Sequence, residues 1–346
     1  MVPAITLFGA GSWGTALAVH LASAGRDVTL WARRPEAIER MRDTRYNPRY
    51  LPDLRLPESI RLTSDLETAA RAADLWAVAV PSQNLGNVAQ RLRSHTEKVS
   101  VLVSLAKGIE NESLLTMSQV LEKSLPDVSE DRIGVLYGPS HAEEVAEGRP
   151  TTVVAAAPTE PVAEQIQNAF MTRGLRVYVN TDVIGVEIGG SAKNVLAIAA
   201  GISDGVGYGD NAKAALITRG LAEIRRLGLA MGARAQTFAG LAGIGDLVVT
   251  CMSQHSRNRF LGEQIGKGKT LDEVLDEMEM VAEGVRTTQS IYQLAQRHDI
   301  EMPITEAVYS VLFNGERPRD MVRTLMTRSA KHENWLPEEL REPASG

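Results

Sequence analysis

The octapeptide "GAGSWGTA" occupies residues 9–16, directly after the apolar run "AITLF" at 4–8. Glycines at 9, 11 and 14 give the spacing G-x-G-x-x-G between a strand-like run and the helix-like run "SWGTALAVHLASAG" at 12–25. In that context Gly9 permits a tight turn, Gly11 lets the backbone approach a pyrophosphate, and Gly14 lets helix and strand pack closely. The helix N-terminus, with Ser12 and Trp13, then offers its amide dipoles to a diphosphate. The spacing by itself is weak in a chain with 29 glycines; the flanking strand and helix give it meaning. The plainer alternative is a glycine-rich strand–helix turn that binds nothing.

The end of the second strand discriminates between nucleotides. A carboxylate there holds the ribose 2′-hydroxyl of NAD, whereas "DVTLWARRPE" at 27–36 places Ala32, Arg33 and Arg34 at that point. Glu36 follows only after a proline. Two guanidiniums suit a 2′-phosphate through charge-assisted bonds, so NADP(H) is the expected cofactor, with NAD(H) as the second possibility. A solvated pair of surface arginines is the competing explanation.

Working outward, apolar runs at 4–8, 28–32, 75–80, 99–105, 133–137, 152–157 and 175–179 alternate with helical stretches such as 13–24, 35–42 and 83–93. Continuous rather than alternating apolar strands point to a mostly parallel, doubly wound sheet covered on both faces. After residue 182 β-branched runs become scarce, and segments rich in Ala, Leu, Gly and Glu take over at 183–202, 211–231, 257–266, 271–278, 286–298 and 304–313. The expected organisation is a Rossmann-like α/β domain over 1–182, an all-α catalytic domain over 183–335 and a frayed tail over 336–346.

Composition bounds the function. The chain has 346 residues, 44% hydrophobic, with a formal net charge of -6, which argues against a broad nucleic-acid surface. One cysteine, Cys251, excludes an intrachain disulfide and any multi-cysteine metal site. The N-terminus has no signal-peptide pattern, and the greasiest stretch, near 195–202, falls short of the ~20 apolar residues of a membrane span. A cytoplasmic protein is expected.

Charges stranded among apolar residues mark the chemistry. In "IGGSAKNVLAIAAGIS", Lys193 is the only ionisable residue between Glu187 and Asp204. It shares a helical face with Gly189, Gly190, Ala197 and Ala200. Burial lowers a lysine pKa from about 10.4 and makes it an acid and base near neutrality; a snorkelling lysine without a chemical role is the alternative. Asp246, in "FAGLAGIGDLVVTCMSQ", is similarly isolated and is the candidate partner of Lys193, although it could instead cap the next helix. Lys107 closes the strand "VSVLVSLAKG", and "GPSHAEE" (138–144) follows the strand "IGVLY"; ligands of open α/β sheets bind at such strand ends. Ser256, Arg257 and Asn258 in "SQHSRNR" combine hydroxyl, guanidinium and amide at a helix start, a combination suited to a phosphate. No metal-ligand cluster is expected.

The strings "GAGSWGTALA", "SLAKGIE", "LYGPSHAEEVA", "GGSAKNVLAIAAGISDG", "NAKAALITRGLAEI", "TFAGLAGIGDLVVTC" and "SRNR" together resemble the bacterial-type NAD(P)-dependent sn-glycerol-3-phosphate dehydrogenases, in that family's order from residue 5 to about 330. The resemblance implies reversible reduction of dihydroxyacetone phosphate to sn-glycerol 3-phosphate for phospholipid synthesis; a homodimer is the expected assembly. It implies Lys193 as the catalytic lysine. Substrate contacts would come from Lys107, Gly138, Ser140, Asp246, Ser256, Arg257 and Asn258. Cofactor contacts would come from Ser12, Trp13, Arg33, Arg34, Tyr50, Lys107, Ala142, Arg257, Val281 and Glu283. His141 stands where the family often has Phe. Two rivals differ in chemistry: a 6-phosphogluconate or 3-hydroxy-acid dehydrogenase of similar build, and a nucleotide-sensing regulator without turnover, for which no basic recognition helix is present.

Overall fold

A computed structural model describes residues 3–278 and 282–330. All seven apolar runs are strands. The sheet domain runs β1 (Ile5–Phe8), α1 (Ser12–Ser23), β2 (Val28–Trp31), α2 (Pro35–Thr44), β3 (Tyr46–Asn47), β4 (Leu51–Arg55), β5 (Arg61–Thr63), α3 (Leu66–Arg71) and β6 (Leu75–Val78). It continues through α4 (Leu85–Leu92), β7 (Val101–Ser104), α5 (Met117–Ser124), β8 (Ile133–Tyr137), α6 (Ala142–Ala146), β9 (Thr151–Ala156), α7 (Glu160–Phe170) and β10 (Leu175–Asn180). Eight strands form one sheet in the order β10-β9-β8-β7-β6-β1-β2-β5. Every neighbouring pair is parallel except β8 and β9.

Both faces are covered, which explains the continuous apolar strands. Ile5 and Leu7 of β1 point into a core shared with Leu17 and Leu21 of α1 and Ile38 of α2. Phe8 points the other way, onto Trp31 and Trp76, with ring centroids 6.1 and 5.3 Å distant. Each such side chain removed from water contributes about 1.5–3 kcal/mol. The chain reverses direction across the sheet between β2 and β6, on either side of β1, and the crevice at their carboxyl ends begins at Gly9. Gly9 adopts φ +124°, and a Cβ on it would lie 2.5 Å from the Ala79 carbonyl oxygen. A Cβ on Gly14 would lie 2.0 Å from the Gly9 carbonyl oxygen, so helix and turn meet only because both residues are glycine.

Asp182 ends the sheet domain and caps the next helix, accepting the Gly185 N–H at 2.9 Å. That helix, α8 (Val183–Val206), is the axis of the second domain and is buried from Gly185 to Ser203. Around it lie α9 (Asp210–Ala230), α10 (Ala235–Phe238), α11 (Asp246–Met252), α12 (Arg257–Gly266), α13 (Leu271–Glu277), α14 (Glu283–Arg297), α15 (Pro303–Phe313) and α16 (Pro318–Met326). Two segments, Val183–Val206 and Ala235–Met252, do reach the length and hydropathy of a membrane span, contrary to the sequence expectation. The first is apolar because it is enclosed by the helices of its own domain and, at Val186 and Gly190, by β8 and β9 of the sheet domain, and its window is 89% buried.

Several elements had no expectation attached. The β3–β4 hairpin and β5 are two to five residues long and interrupted by prolines and charges, so no periodicity marks them. Helices α3, α5, α6 and α7 are short connectors between strands. The expected tail at 336–346, and residues 331–335 of the helical domain, lie outside the described residues.

Candidate active site

The crevice at the carboxyl end of β1 opens into a groove of about 940 Å³, the size of a typical cofactor site. Its floor is Gly9 to Trp13, its far end carries Arg33, Arg34 and Tyr50, and its near end reaches Lys107, Ser140, Arg257 and Glu283. The N-terminus of α1 takes no side-chain cap and has no acidic residue in its first turn. A Cβ on Gly11 would meet no atom within 4 Å, which leaves space over the helix start where a diphosphate fits.

The far end is more cationic than the sequence reading anticipated. Arg40, Arg49 and Arg91 join Arg33 and Arg34 in the lining. The Arg49 guanidinium lies 5.6 Å from the Tyr50 ring centroid and Arg91 lies 5.8 Å from that of Trp31. Arg40 was findable, one helical turn beyond Glu36 on α2. Arg49 and Arg91 come from other segments and carry no local signal. Glu36 also lines the groove.

At the near end the stranded charges meet. Asp246, 1% exposed, accepts hydrogen bonds from two lysines. Lys193 Nζ donates to its Oδ1 and, at 2.9 Å, to Thr250 Oγ1. Lys107 Nζ donates to Asp246 Oδ2 and to the Gly138 carbonyl, each at 2.8 Å. Asp246 is the first residue of α11, but its carboxylate serves the lysines and caps nothing. Thr250, one turn along α11, in turn donates to the Asp246 carbonyl at 2.6 Å. Sequence spacing could have revealed it, since i and i+4 share a helix face.

Packing explains how the carboxylate reaches Lys193. The segment Leu241–Gly245 is a π-helical turn, and a Cβ on Gly189 would lie 2.6 Å from the Ala242 carbonyl oxygen. The glycine therefore lets α8 lie directly against the turn that presents Asp246. From the sheet side, Glu187 of α8 accepts the Ser118 N–H at 2.9 Å and its O–H at 2.6 Å, all buried. The two domains are thus fixed about 1.7 helical turns from Lys193.

Burial pushes the Lys193 ammonium down to about 8, with the Lys107 charge adding to the fall and Asp246 opposing it. Two lysines sharing one carboxylate leave a net positive charge in a desolvated place. Such a centre stabilises negative charge and can give or take a proton at neutral pH.

The remaining sequence candidates divide. Ser140 and Arg257 line the groove, and Ser140 Oγ donates to the Gly138 carbonyl at 3.0 Å. Ser256 is buried, and its Oγ accepts the Arg259 N–H at 3.2 Å as the cap of α12. Asn258 is also buried, and its Oδ1 accepts the Gly284 N–H at 2.9 Å. Ala142 is buried against Ala16 and Leu51, near Trp13 but outside the groove lining. Glu283 accepts the Ser82 N–H at 3.3 Å, and burial pushes its carboxyl up. Val281 lies outside the described residues. Arg259, the second arginine of "SRNR", pairs with Asp204 at 2.7 Å and not with the groove.

A glycine-rich turn opening on a cationic groove, which ends at a buried lysine–carboxylate centre of a helical domain, defines a two-domain dinucleotide-dependent oxidoreductase. Comparison with known proteins narrows the class. Residues 4–163 match the family model for the NAD-dependent glycerol-3-phosphate dehydrogenase N-terminus and residues 182–323 that for its C-terminus. A Salinibacter ruber protein named glycerol-3-phosphate dehydrogenase (NAD(P)+) 2 is 73% identical, over 99% of each chain. A Bacillus subtilis protein named glycerol-3-phosphate dehydrogenase (NAD(P)+) is 52% identical, over 95% of each chain. The crystal structure of a Coxiella burnetii glycerol-3-phosphate dehydrogenase superposes with a TM-score of 0.89 at 38% identity, covering 94% of this chain and 99% of that one. The chain belongs to the NAD-dependent glycerol-3-phosphate dehydrogenase family.

Proposed function

We propose that the protein reversibly reduces dihydroxyacetone phosphate to sn-glycerol 3-phosphate with NADPH, and with NADH as the alternative cofactor, supplying the backbone of glycerophospholipids. The observation that carries the chemistry is the Lys193–Asp246–Lys107 centre at the end of the dinucleotide groove. Full-length identity to proteins named for this activity supports the substrate.

A reduced nicotinamide supplies the hydride when bound. The chain's own residues do the rest. Lys193 gives the proton to the carbonyl oxygen as that oxygen becomes an alkoxide, and takes it back in oxidation. Lys107 adds a second positive charge against the developing anion, an effect largest where water is excluded. Asp246 holds both ammonium groups in place. Arg257 at the groove wall and the N-terminus of α12 anchor the phosphate, which fixes the carbonyl against the reacting face. Arg33 and Arg34 take the 2′-phosphate at the other end.

Initial rates of nucleotide oxidation decide this reading. Rapid turnover of dihydroxyacetone phosphate, with 6-phosphogluconate inert, is expected; the reverse order, or no turnover, would replace it. A reducing, cytoplasmic setting belongs to the same reading and is supported by the single cysteine, buried at Cys251. So does a homodimer, which sedimentation of the purified protein checks.

A further inference from the structure

His141 lies in the loop between β8 and α6, the loop that also supplies Gly138 and Ser140. Its Nε2 is buried and has no hydrogen-bond partner among the described residues. An unpaired buried ring nitrogen costs free energy unless something else fills it. The ring packs on His255 with centroids 5.8 Å apart and planes tilted by 52°. His255 comes from the other domain, in the loop just before Ser256 and Arg257. The pair therefore bridges the domains beside the proposed phosphate anchor. Burial and then the Lys193 charge push the ring's pKa below the usual histidine value. A neutral imidazole carries one donor and one acceptor.

The substrate of the proposed reaction has three polar parts: a phosphate, a carbonyl and a hydroxymethyl group. Arg257 and α12 account for the first, Lys193 and Lys107 for the second. Thr250 and Asp246 are engaged with Lys193, and the Gly138 carbonyl with Lys107 and Ser140; Ser191 Oγ, two residues before Lys193 on α8, is also buried without a partner among the described residues. We propose that His141 is a specificity residue whose Nε2 hydrogen-bonds the substrate hydroxyl on the carbon flanking the carbonyl, opposite the phosphate. This rests on the reading of the substrate as a triose phosphate.

The test compares kcat/KM for dihydroxyacetone phosphate and for hydroxyacetone phosphate, which has a methyl in place of the hydroxymethyl group. A site built to bond a hydroxyl discriminates against the analogue lacking it. The native protein is expected to prefer the hydroxylated substrate. His141→Phe, which keeps the ring and its contact with His255, is expected to lower that preference about tenfold. His141→Gln should restore part of it, and NADPH affinity should stay unchanged in both. His141→Ala gives the same readout by a second route if the Phe variant does not fold. An unchanged preference in a folded variant that still reduces dihydroxyacetone phosphate would overturn the role of His141 alone. Failure of the native protein to use dihydroxyacetone phosphate would overturn the substrate reading with it.

Discussion

The two ends of the groove use positive charge in opposite ways. At the nucleotide end, Arg33 and Arg34 are solvent-exposed and stand on a strand end and a helix start. At the catalytic end, Lys193 and Lys107 converge on a carboxylate that is 1% exposed. Exposed charges are screened by water and salt, so they select between similar ligands with modest energy. Buried charges are costly to assemble, and their proton affinity moves with their surroundings. The first arrangement suits recognition and the second suits chemistry.

That contrast sets the order of expected effects. Lys193→Ala should lower kcat by about 10²–10⁴-fold, the usual worth of general acid–base catalysis, while NADPH binding, measured by fluorescence titration, stays nearly native. Rates within a few-fold of native would assign Lys193 a structural role. Asp246→Asn should act next most strongly, because it leaves two ammonium groups together without their carboxylate. Removing one partner of a buried pair costs about 3–5 kcal/mol, visible as a lower Tm. Asp246 raises the Lys193 pKa, so the pH midpoint of any residual activity should fall below that of the native protein; an unmoved midpoint would detach the carboxylate from the acid–base group.

Arg257→Ala lies between the two extremes. It should weaken substrate binding by about 1.5–3 kcal/mol through loss of a charge-assisted phosphate contact, read as a raised KM for dihydroxyacetone phosphate. Unchanged KM and kcat would place the phosphate elsewhere. Smallest is the double change Arg33→Ser, Arg34→Ser. NADPH should lose roughly tenfold in kcat/KM and NADH much less, with high salt mimicking the change weakly. Equal losses for both nucleotides would mean that the arginines hold a part common to both. Arg40, Arg49 and Arg91 line the same end, and their charge keeps the expected loss from being larger.

The same contrast explains what could be read from the sequence. The nucleotide end is local: Gly9, Gly11, Gly14, Arg33 and Arg34 lie within 26 residues of one another and follow two strands whose apolar runs are unmistakable. The catalytic end joins Lys107, Lys193 and Asp246 across 139 residues. Lys193 and Asp246 were legible only as charges without local partners, which marked them as a candidate pair. That Lys107 would bind the same carboxylate depended on the π-helical turn and on the contact of Gly189 with Ala242, features of packing and not of pattern. Ser256 and Asn258 look like phosphate ligands in sequence because their types suit one. In the fold the Ser256 oxygen also caps α12 and the Asn258 oxygen also holds the start of α14, so each side chain has a structural bond beside the phosphate contact expected of it. The hairpin β3–β4 was invisible because two-residue and five-residue strands carry too few positions for alternation to emerge.

In the proposed mechanism one buried lysine carries the proton in both directions, and pH–rate profiles measure that role. With Lys193 titrating at about 8, reduction needs the ammonium, so kcat/KM for dihydroxyacetone phosphate should fall as pH rises through that value. Oxidation of sn-glycerol 3-phosphate needs the free amine, so its kcat/KM should fall as pH drops through the same value. Mirror-image profiles sharing one midpoint are the predicted result. Profiles that are flat between pH 6 and 10, or that move in the same sense for both directions, would contradict it.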